Sequence, residues 1–285
     1  MKLCFVWLSI RSRSVVLSTG IDLLMANSKH VVVLVCLQDR NFNAELLELA
    51  LHSLRKRAGY RGDIVVFTDF TRRLKGEDEL AITRIHVDSY PSRDPRNFRI
   101  YMDDYYDFSA HKKLIYMDFD ILVLENINRV FNYIKDNAVY FTYAPVFPWT
   151  SEAFMAGSYI DQYRNTAVVR NSVTGICSGI FGVRTSVLGG LLRLWREVLA
   201  RTPTDNDQHA LNEVIVKGMV KACPFPNEWV SYPVQVRRES DDRRTFAKKK
   251  DYVFYHFNPV DNQVKYQMMN EYMLRSAAVS GKEPD

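Results

Sequence analysis

Short apolar runs alternate along this chain with stretches in which apolar residues recur every three or four positions. The run His30-Val-Val-Val-Leu-Val-Cys-Leu37 is apolar after its first residue, which predicts a strand buried on both faces, as in a parallel sheet. From Asn43 to about Arg57, Leu46, Leu47, Ala50, Leu51 and Leu54 fall on one stripe and predict a helix, with Asn43 placed to cap it. Gly59 and Gly62 bracket a turn, and Asp63-Ile-Val-Val-Phe-Thr68 predicts a second strand. Strand, helix, strand at this spacing is a βαβ unit, with a right-handed crossover and parallel strands. A charged loop over 71–79, a third strand over 81–87 and a Tyr-rich helix over 95–108 complete the first part.

The central pattern is Lys113-Leu-Ile-Tyr-Met-Asp-Phe-Asp-Ile-Leu-Val-Leu124, two apolar runs separated by Asp118 and Asp120. Both runs read as buried strands of the parallel sheet. A short helix over 127–133 and a strand over 138–143 follow. Residues 144–163 then turn aromatic and irregular, and a long irregular segment in a compact domain is more often a binding loop than an accident. The run 174–183 predicts a strand whose three glycines permit close approach of backbone or ligand. Helices over 187–201 and from 207, a strand over 252–257 and a terminal helix over 263–277 close the chain. The pattern has no internal repeat. It predicts an α/β fold with a Rossmann-like, mostly parallel central sheet flanked by helices.

Composition narrows this little. With 285 residues, 47% hydrophobic and 25% charged, the chain is globular and long enough for one large domain or two small ones. We expect a poorly ordered extension over 1–28, a single domain over 29–277 and a disordered tail over 278–285. The apolar stretch after Lys2 resembles a short signal sequence, but Arg11 and Arg13 interrupt it, and it is too short to span a bilayer. Cys4, Cys36, Cys177 and Cys223 show no C-x-x-C spacing, which suits buried thiols in a reducing, cytoplasmic setting. A net charge of +5 suits an anionic substrate or membrane surface and does not point to nucleic acid. The basic run over 237–251 is interrupted by Glu239, Asp241, Asp242 and Asp251. It reads first as a solvated loop and second as a peripheral contact with an anionic membrane.

The chemistry concentrates at Asp118 and Asp120. In extended chain these two face one side, with Phe119 opposite. Carboxylates among buried apolar residues are costly unless a positive charge meets them. A divalent cation, Mg²⁺ or Mn²⁺, is the natural candidate, because each prefers oxygen ligands and is commonly shared with a phosphate. His256, between Phe254 and Phe257, reads alone as a hydrogen-bonded core histidine and beside the acidic pair as a third ligand. Asp207 at a helix start is either a cap or a site residue. Gln208 has no such structural explanation. Arg99 and Lys265 suit either phosphate oxygens or exposed ion pairs. A phosphatase of the haloacid dehalogenase type also carries an apolar strand ending in D-x-D, but on its opening strand, whereas at least three strands precede this one. A non-catalytic nucleotide- or carbohydrate-binding module is the third reading.

The stations of this pattern, in order, resemble those of retaining GT-A-fold glycosyltransferases, the family of glycogenin and of the bacterial lipopolysaccharide galactosyl- and glucosyltransferases. Asp118-Phe-Asp120 matches the D-x-D signature, and Asp39-Arg-Asn41-Phe42 is similar to the turn that holds the nucleoside. Arg99 matches an Arg before the D-x-D, Ser178-Gly179 an N-[SA]-G strand, and Asp207-Gln208-His-Ala-Leu-Asn212 a D-Q-x-x-L-N helix start. His256 matches a late metal-binding His. The resemblance covers roughly residues 30–270. It implies transfer of a hexose from a nucleotide-diphosphate sugar, a UDP-sugar first, to a glycan or glycolipid acceptor with retention of configuration. Asp118, Asp120 and His256 would hold Mn²⁺ (or Mg²⁺), and Asp207 and Gln208 would face the reacting carbon. Asp39, Asn41, Phe42, Arg99, Asp118, Ser178, Gly179 and Lys265 would hold the donor. Two stations depart from the pattern. Cys177 stands where the family has Asn, and Lys265 follows His256 later than the family's diphosphate lysine does.

Overall fold

The computed structural model describes residues 30–38, 40–92, 94–148, 166–170, 174–202, 205–234, 252–258 and 260–280. The expected N-terminal extension, most of the aromatic loop, the basic run and Asp39 lie outside these residues.

The first part follows the pattern. Strand β1 (His30–Cys36) leads to helix α1 (Asn43–His52), which continues as one π-helical stretch, Ser53–Arg57. Then come β2 (Asp63–Thr68), a short helix α2 (Glu77–Leu80) inside the expected loop, and β3 (Thr83–His86). Arg55 ties this unit together by donating to the carbonyls of Tyr60, Gly62, Leu80 and Ala81. Asn43 does not cap α1. Phe42 occupies the cap in a left-handed conformation, and the Asn43 amide instead donates to the carbonyls of Leu37 and Gln38, fixing the turn after β1.

The expected helix over 95–108 is a 3₁₀ helix, Pro95–Asp104, capped by Asp94. It runs into β4 (Lys113–Met117). The remainder is β5 (Ile121–Val123), α3 (Asn128–Tyr133), β6 (Val139–Pro148), α4 (Ala167–Arg170), β7 (Thr174–Arg184), α5 (Thr185–Leu199) and α6 (Asp207–Val216). Then follow β8 (Ala222–Pro224), β9 (Val230–Ser231), β10 (Phe254–His256) and α7 (Asn262–Ser280), which runs past its expected end.

Seven strands form the main sheet in the order β3-β2-β1-β4-β7-β6-β8. All run parallel except β7, which is antiparallel to both β4 and β6. β5 corrects the sequence reading. It leaves the parallel sheet and pairs antiparallel with β10, which pairs with β9 in a separate three-stranded sheet. An apolar run records burial, not the partner that provides it.

The alternating side chains of β1 divide the core. Val31, Val33 and Val35 join one cluster with Phe98, Leu191, Leu192, Trp195 and Leu211, under α5 and α6. Val32, Leu34 and Cys36 join the other with Leu47, Leu51, Phe131 and Phe254, under α1, α3 and the small sheet. A third cluster, including Leu46, Tyr255, Phe257 and Met269, docks α7 beside α1. Cys36 and Cys177 are buried thiols, and Cys223 is half-buried.

Candidate active site

The site forms where β4 ends. Residues 118–120 are a turn between β4 and β5 rather than extended chain, and their carboxylates still converge. Asp118 lies beside β7, its backbone N–H donating to the Gly179 carbonyl at 2.8 Å. Its Oδ1 accepts from the Tyr116 hydroxyl at 2.8 Å and from Arg99 Nη1 at 2.9 Å. Arg99, only 5% exposed, also contacts Asp207 through Nε at 2.9 Å and donates to the Ser178 carbonyl at 3.0 Å. It is a buried link between two carboxylates and not an exposed ion pair. Burial works against its charge, but Asp118 and Asp207 outweigh this and hold it protonated above its ordinary range.

Asp120 is buried between two cations or would-be cations. Its Oδ2 meets Lys265 Nζ at 2.7 Å, and its Oδ1 lies 3.3 Å from His256 Nε2. The small sheet explains this convergence: β5 leaves Asp120 directly, and His256 is paired in register with Ile121. Lys265 arrives from the first turn of α7, so its pairing with Asp120 is partly buried rather than exposed. Burial raises the Asp120 carboxyl, but Lys265 and then His256 pull it well below the usual carboxylate range. For His256, burial lowers the imidazole while Asp120 raises it, leaving it at about 10.

One oxygen or nitrogen each from Asp118, Asp120 and His256 lies within 4.8 Å of the others. Asp120 Oδ1 and His256 Nε2 are both buried, and the contact they make is the 3.3 Å ion pair with each other. A carboxylate and an imidazole are thus held together out of solvent, with the Asp118 carboxylate beside them. That donor set fits Mn²⁺ or Mg²⁺. Gly179 leaves the space open: a Cβ there would stand 2.6 Å from Asp118 Oδ2 and 2.9 Å from His256 Cε1.

Helix α6 brings in the remaining residues. Asn206, not Asp207, is its cap, accepting from the Gln208 N–H at 3.0 Å. Asp207 turns inward to Arg99, and burial followed by the nearby Asp118 raises its carboxyl to about 6 despite the guanidinium. Gln208 Oε1 accepts from the Ser178 N–H at 3.2 Å. Asn212 clamps α6 to β7 through both the N–H and carbonyl of Ile176, at 2.7 and 3.0 Å.

The turn after β1 supplies another wall. Gln38, Asn41 and Phe42 all have positive φ, a conformation non-glycine residues seldom hold without a reason. Phe42 is exposed and stacks on Tyr266 of α7, ring centroids 5.4 Å apart. Asn41 is exposed in the same turn.

Two residues around the site escaped the sequence reading. Tyr116 precedes Asp118 by two and was readable by the same alternation that pairs the two acids. Tyr232, whose ring lies 5.5 Å from that of His256, carries no sequence signal of contact with it. Cys177, at the station where the family has Asn, lies with its Sγ 3.8 Å from His256 Nδ1.

No protein-family model and no curated protein sequence matches the chain. Solved structures do. A galactosyltransferase LgtC in complex with donor and acceptor sugar analogs superposes with a TM-score of 0.56 at 14% identity, covering 85% of this chain and 95% of that one. An active-site mutant of LgtC gives 0.54 at 12%, covering 86% and 99%. The apo form of the glycosyltransferase GlyE from Streptococcus pneumoniae TIGR4 gives 0.54 at 12%, covering 88% of this chain and 64% of that one. The chain therefore has the mixed α/β fold of these GT-A glycosyltransferases, with a seven-stranded, mostly parallel central sheet flanked by helices.

Proposed function

We propose that this protein is a metal-dependent glycosyltransferase that moves a hexose from a nucleotide-diphosphate sugar, a UDP-sugar first, to a glycan or glycolipid with retention of configuration. The observation that carries the reading is the convergence of Asp118, Asp120 and His256 at the strand ends of this fold, one ligand atom of each within 4.8 Å of the others and two of the residues buried. Ligands of open α/β sheets bind at such strand ends. The shared fold of donor- and acceptor-binding LgtC agrees with it.

Asp118, Asp120 and His256 would hold the cation, Mn²⁺ in preference to Mg²⁺ because one ligand is an imidazole. When bound, it supplies positive charge to the diphosphate leaving group. The remaining roles belong to the chain. Phe42, stacked on Tyr266, offers an aromatic face to the nucleobase, and Asn41 sits in the same turn. Lys265 stands where it can share its charge between Asp120 and a phosphate oxygen. Arg99 holds Asp118 and Asp207 in place and positions Ser178 through its carbonyl. Gly179 lets the donor sugar approach the backbone. Asp207 and Gln208 orient its hydroxyls.

As the bond between C1 and the phosphate oxygen breaks, the acceptor hydroxyl oxygen bonds to C1 from the same face. Its proton passes to the departing phosphate. This route is favoured because Asp207 is held by Arg99 and Gln208 is no nucleophile.

The test is thermal stabilisation by UDP, GDP and ADP with and without Mn²⁺, on the wild type and on the Asp118→Ala, Asp120→Ala double variant. UDP should raise the wild-type midpoint only with Mn²⁺, and the double variant should stay folded and lose the shift. A double variant that keeps Mn²⁺-dependent transfer would sink the reading.

A further inference from the structure

The imidazole of His256 faces Asp120 through Nε2 and a thiol through Nδ1. Cys177 Sγ lies 3.8 Å from Nδ1, and the Tyr232 ring centroid lies 5.5 Å from that of the imidazole. Both sheets contribute to this cluster. Ser231 of β9 is in register with Tyr255 of β10, so the residues that follow, Tyr232 and His256, stand side by side. Cys177 and Tyr143 come from β7 and β6 of the main sheet. Cys177 is 5% and His256 1% exposed, so their polar atoms look to the protein for partners.

Each group in the cluster has few protons to give, and that sets the direction of the whole series. A backbone carbonyl only accepts, so the Tyr232 hydroxyl, 2.7 Å from the Tyr143 carbonyl, donates its one proton there. The Tyr232 oxygen keeps only acceptor lone pairs. The Cys177 thiol is hydrogen-bonded to the Tyr232 side chain and must therefore be the donor of that pair. A thiol has one proton, so toward His256 its sulfur can only accept. The proton between sulfur and imidazole then belongs to Nδ1. The series runs one way: from Nδ1–H to sulfur, from S–H to the Tyr232 oxygen, and from O–H to the Tyr143 carbonyl.

That direction matters at the other nitrogen. A neutral imidazole has one N–H, and with it held at Nδ1 the lone pair lies on Nε2, 3.3 Å from Asp120 Oδ1. Metal-binding histidines commonly have their second nitrogen fixed by a carboxylate or carbonyl, and losing that partner costs roughly 10–100-fold in metal affinity. Here the acceptor is a thiol, at the station where the family the chain resembles has Asn. An unanchored thiol is free to donate to Nδ1 and leave the proton on Nε2, which blocks the ligand atom. Tyr232 removes that freedom.

We propose that Cys177 and Tyr232 are positioning residues of the candidate cation centre, holding the His256 proton on Nδ1 and presenting Nε2 as the ligand atom. The proposal rests on the cation-binding part of the glycosyltransferase reading and deepens it.

Mn²⁺ binding by the full chain, read as loss of the free-ion EPR signal with and without UDP and with Mg²⁺ as competitor, tests it. Cys177→Ala should weaken Mn²⁺ at least about tenfold. It should weaken Mg²⁺ less, because Mg²⁺ relies on carboxylates rather than imidazole. Cys177→Ser keeps an acceptor with a single proton and should recover most of the loss. Tyr232→Phe keeps the ring on His256, frees the thiol proton and should also weaken Mn²⁺. Nitrogen-15 NMR of the histidine-labelled protein with Zn²⁺ as a diamagnetic probe should place the wild-type His256 proton on Nδ1, and Tyr232→Phe should mix the two tautomers. Wild-type Mn²⁺ affinity in both Cys177→Ala and Tyr232→Phe, equal losses of Mn²⁺ and Mg²⁺, or a wild-type proton on Nε2 overturns the assignment. A UDP thermal shift with Mn²⁺ separates the two readings. That shift with unaffected variants sinks the positioning role alone, whereas the expected variant losses without it sink the transferase and leave the cation centre. A wild type that takes up no Mn²⁺ under either condition sinks both.

Discussion

At position 179 there is room for a hydrogen atom and no more. The carboxylate that a Cβ would strike is fixed by Arg99 and Tyr116, so it cannot swing aside cheaply. Gly179→Ala should therefore move Asp118 or the backbone of β7. We expect UDP with Mn²⁺ to bind at least about tenfold more weakly, a loss of roughly 1.4 kcal/mol, in a protein that still unfolds cooperatively. Calorimetry that returns wild-type affinity would show the site is not built around this contact. Asp207 makes a second, pH-dependent prediction. Burial raises its carboxyl to about 6, above the ordinary value of about 3.9. Between these values the folded state holds the proton that the unfolded state has lost, so stability falls as pH rises, by an order of 2–3 kcal/mol in full. Asp207→Asn removes that slope. Urea unfolding without added metal should show the variant gaining on the wild type from about pH 4 to 7. A constant difference would mean that Arg99 holds Asp207 ionised throughout.

Among the elements, those defined by their own residues were legible and those defined by a partner were not. β1 and β2 could be read directly because a continuous apolar run of that length has few other uses. The departure of β5 to a second sheet was not readable, because its three buried residues would look the same in either place. The reversal of β7 was equally silent, since direction leaves no mark on an apolar strand. The caps failed for a more local reason. Asn43 and Asp207 are good cap residues, but each turns its side chain inward to a tertiary partner, and a neighbour takes the cap. In the site, the acids and Gln208 could be picked out from sequence, whereas the pairing of Lys265 with Asp120 depends on how α7 docks. Helix α5 offers a clean test of propensity. Gly189 and Gly190 lie exposed in its interior, and an added Cβ at either meets nothing within 4 Å. Replacing both by Ala should add roughly 1–2 kcal/mol, which in a chain of this size raises the thermal midpoint by about 2–4 °C per kcal/mol. A lowered midpoint in a melting experiment would reveal a contact on that face.

At the scale of the molecule, the sheet delivers chemistry by direction. β1 and β4 run toward the site and end there, and β7, being reversed, contributes its early residues 177–179 at the same edge. Donor turn, acidic pair and small-residue strand thus share one rim. Among the described residues no helix is long and apolar enough to cross a membrane. Retention is the prediction that belongs to this scale, because it depends on which face of the donor the assembled rim leaves open. Proton NMR of the first product from an α-linked donor should show an α linkage. A β linkage would defeat the retaining route while leaving the fold and the candidate cation site intact.

The ion pair between Lys265 and Asp120 spans 145 residues, and that separation governs when the site can exist during synthesis. At about 5–20 residues per second, a ribosome needs roughly 7–29 s to pass from one to the other. For most of that interval the chain already made holds Asp118 and Asp120 but neither His256 nor Lys265. The nascent chain thus offers two carboxylates without the imidazole, a weak and unselective ligand for divalent ions. Selective capture has to wait until the chain has been made through Lys265, so a translation product truncated before it carries the acidic pair without the full set.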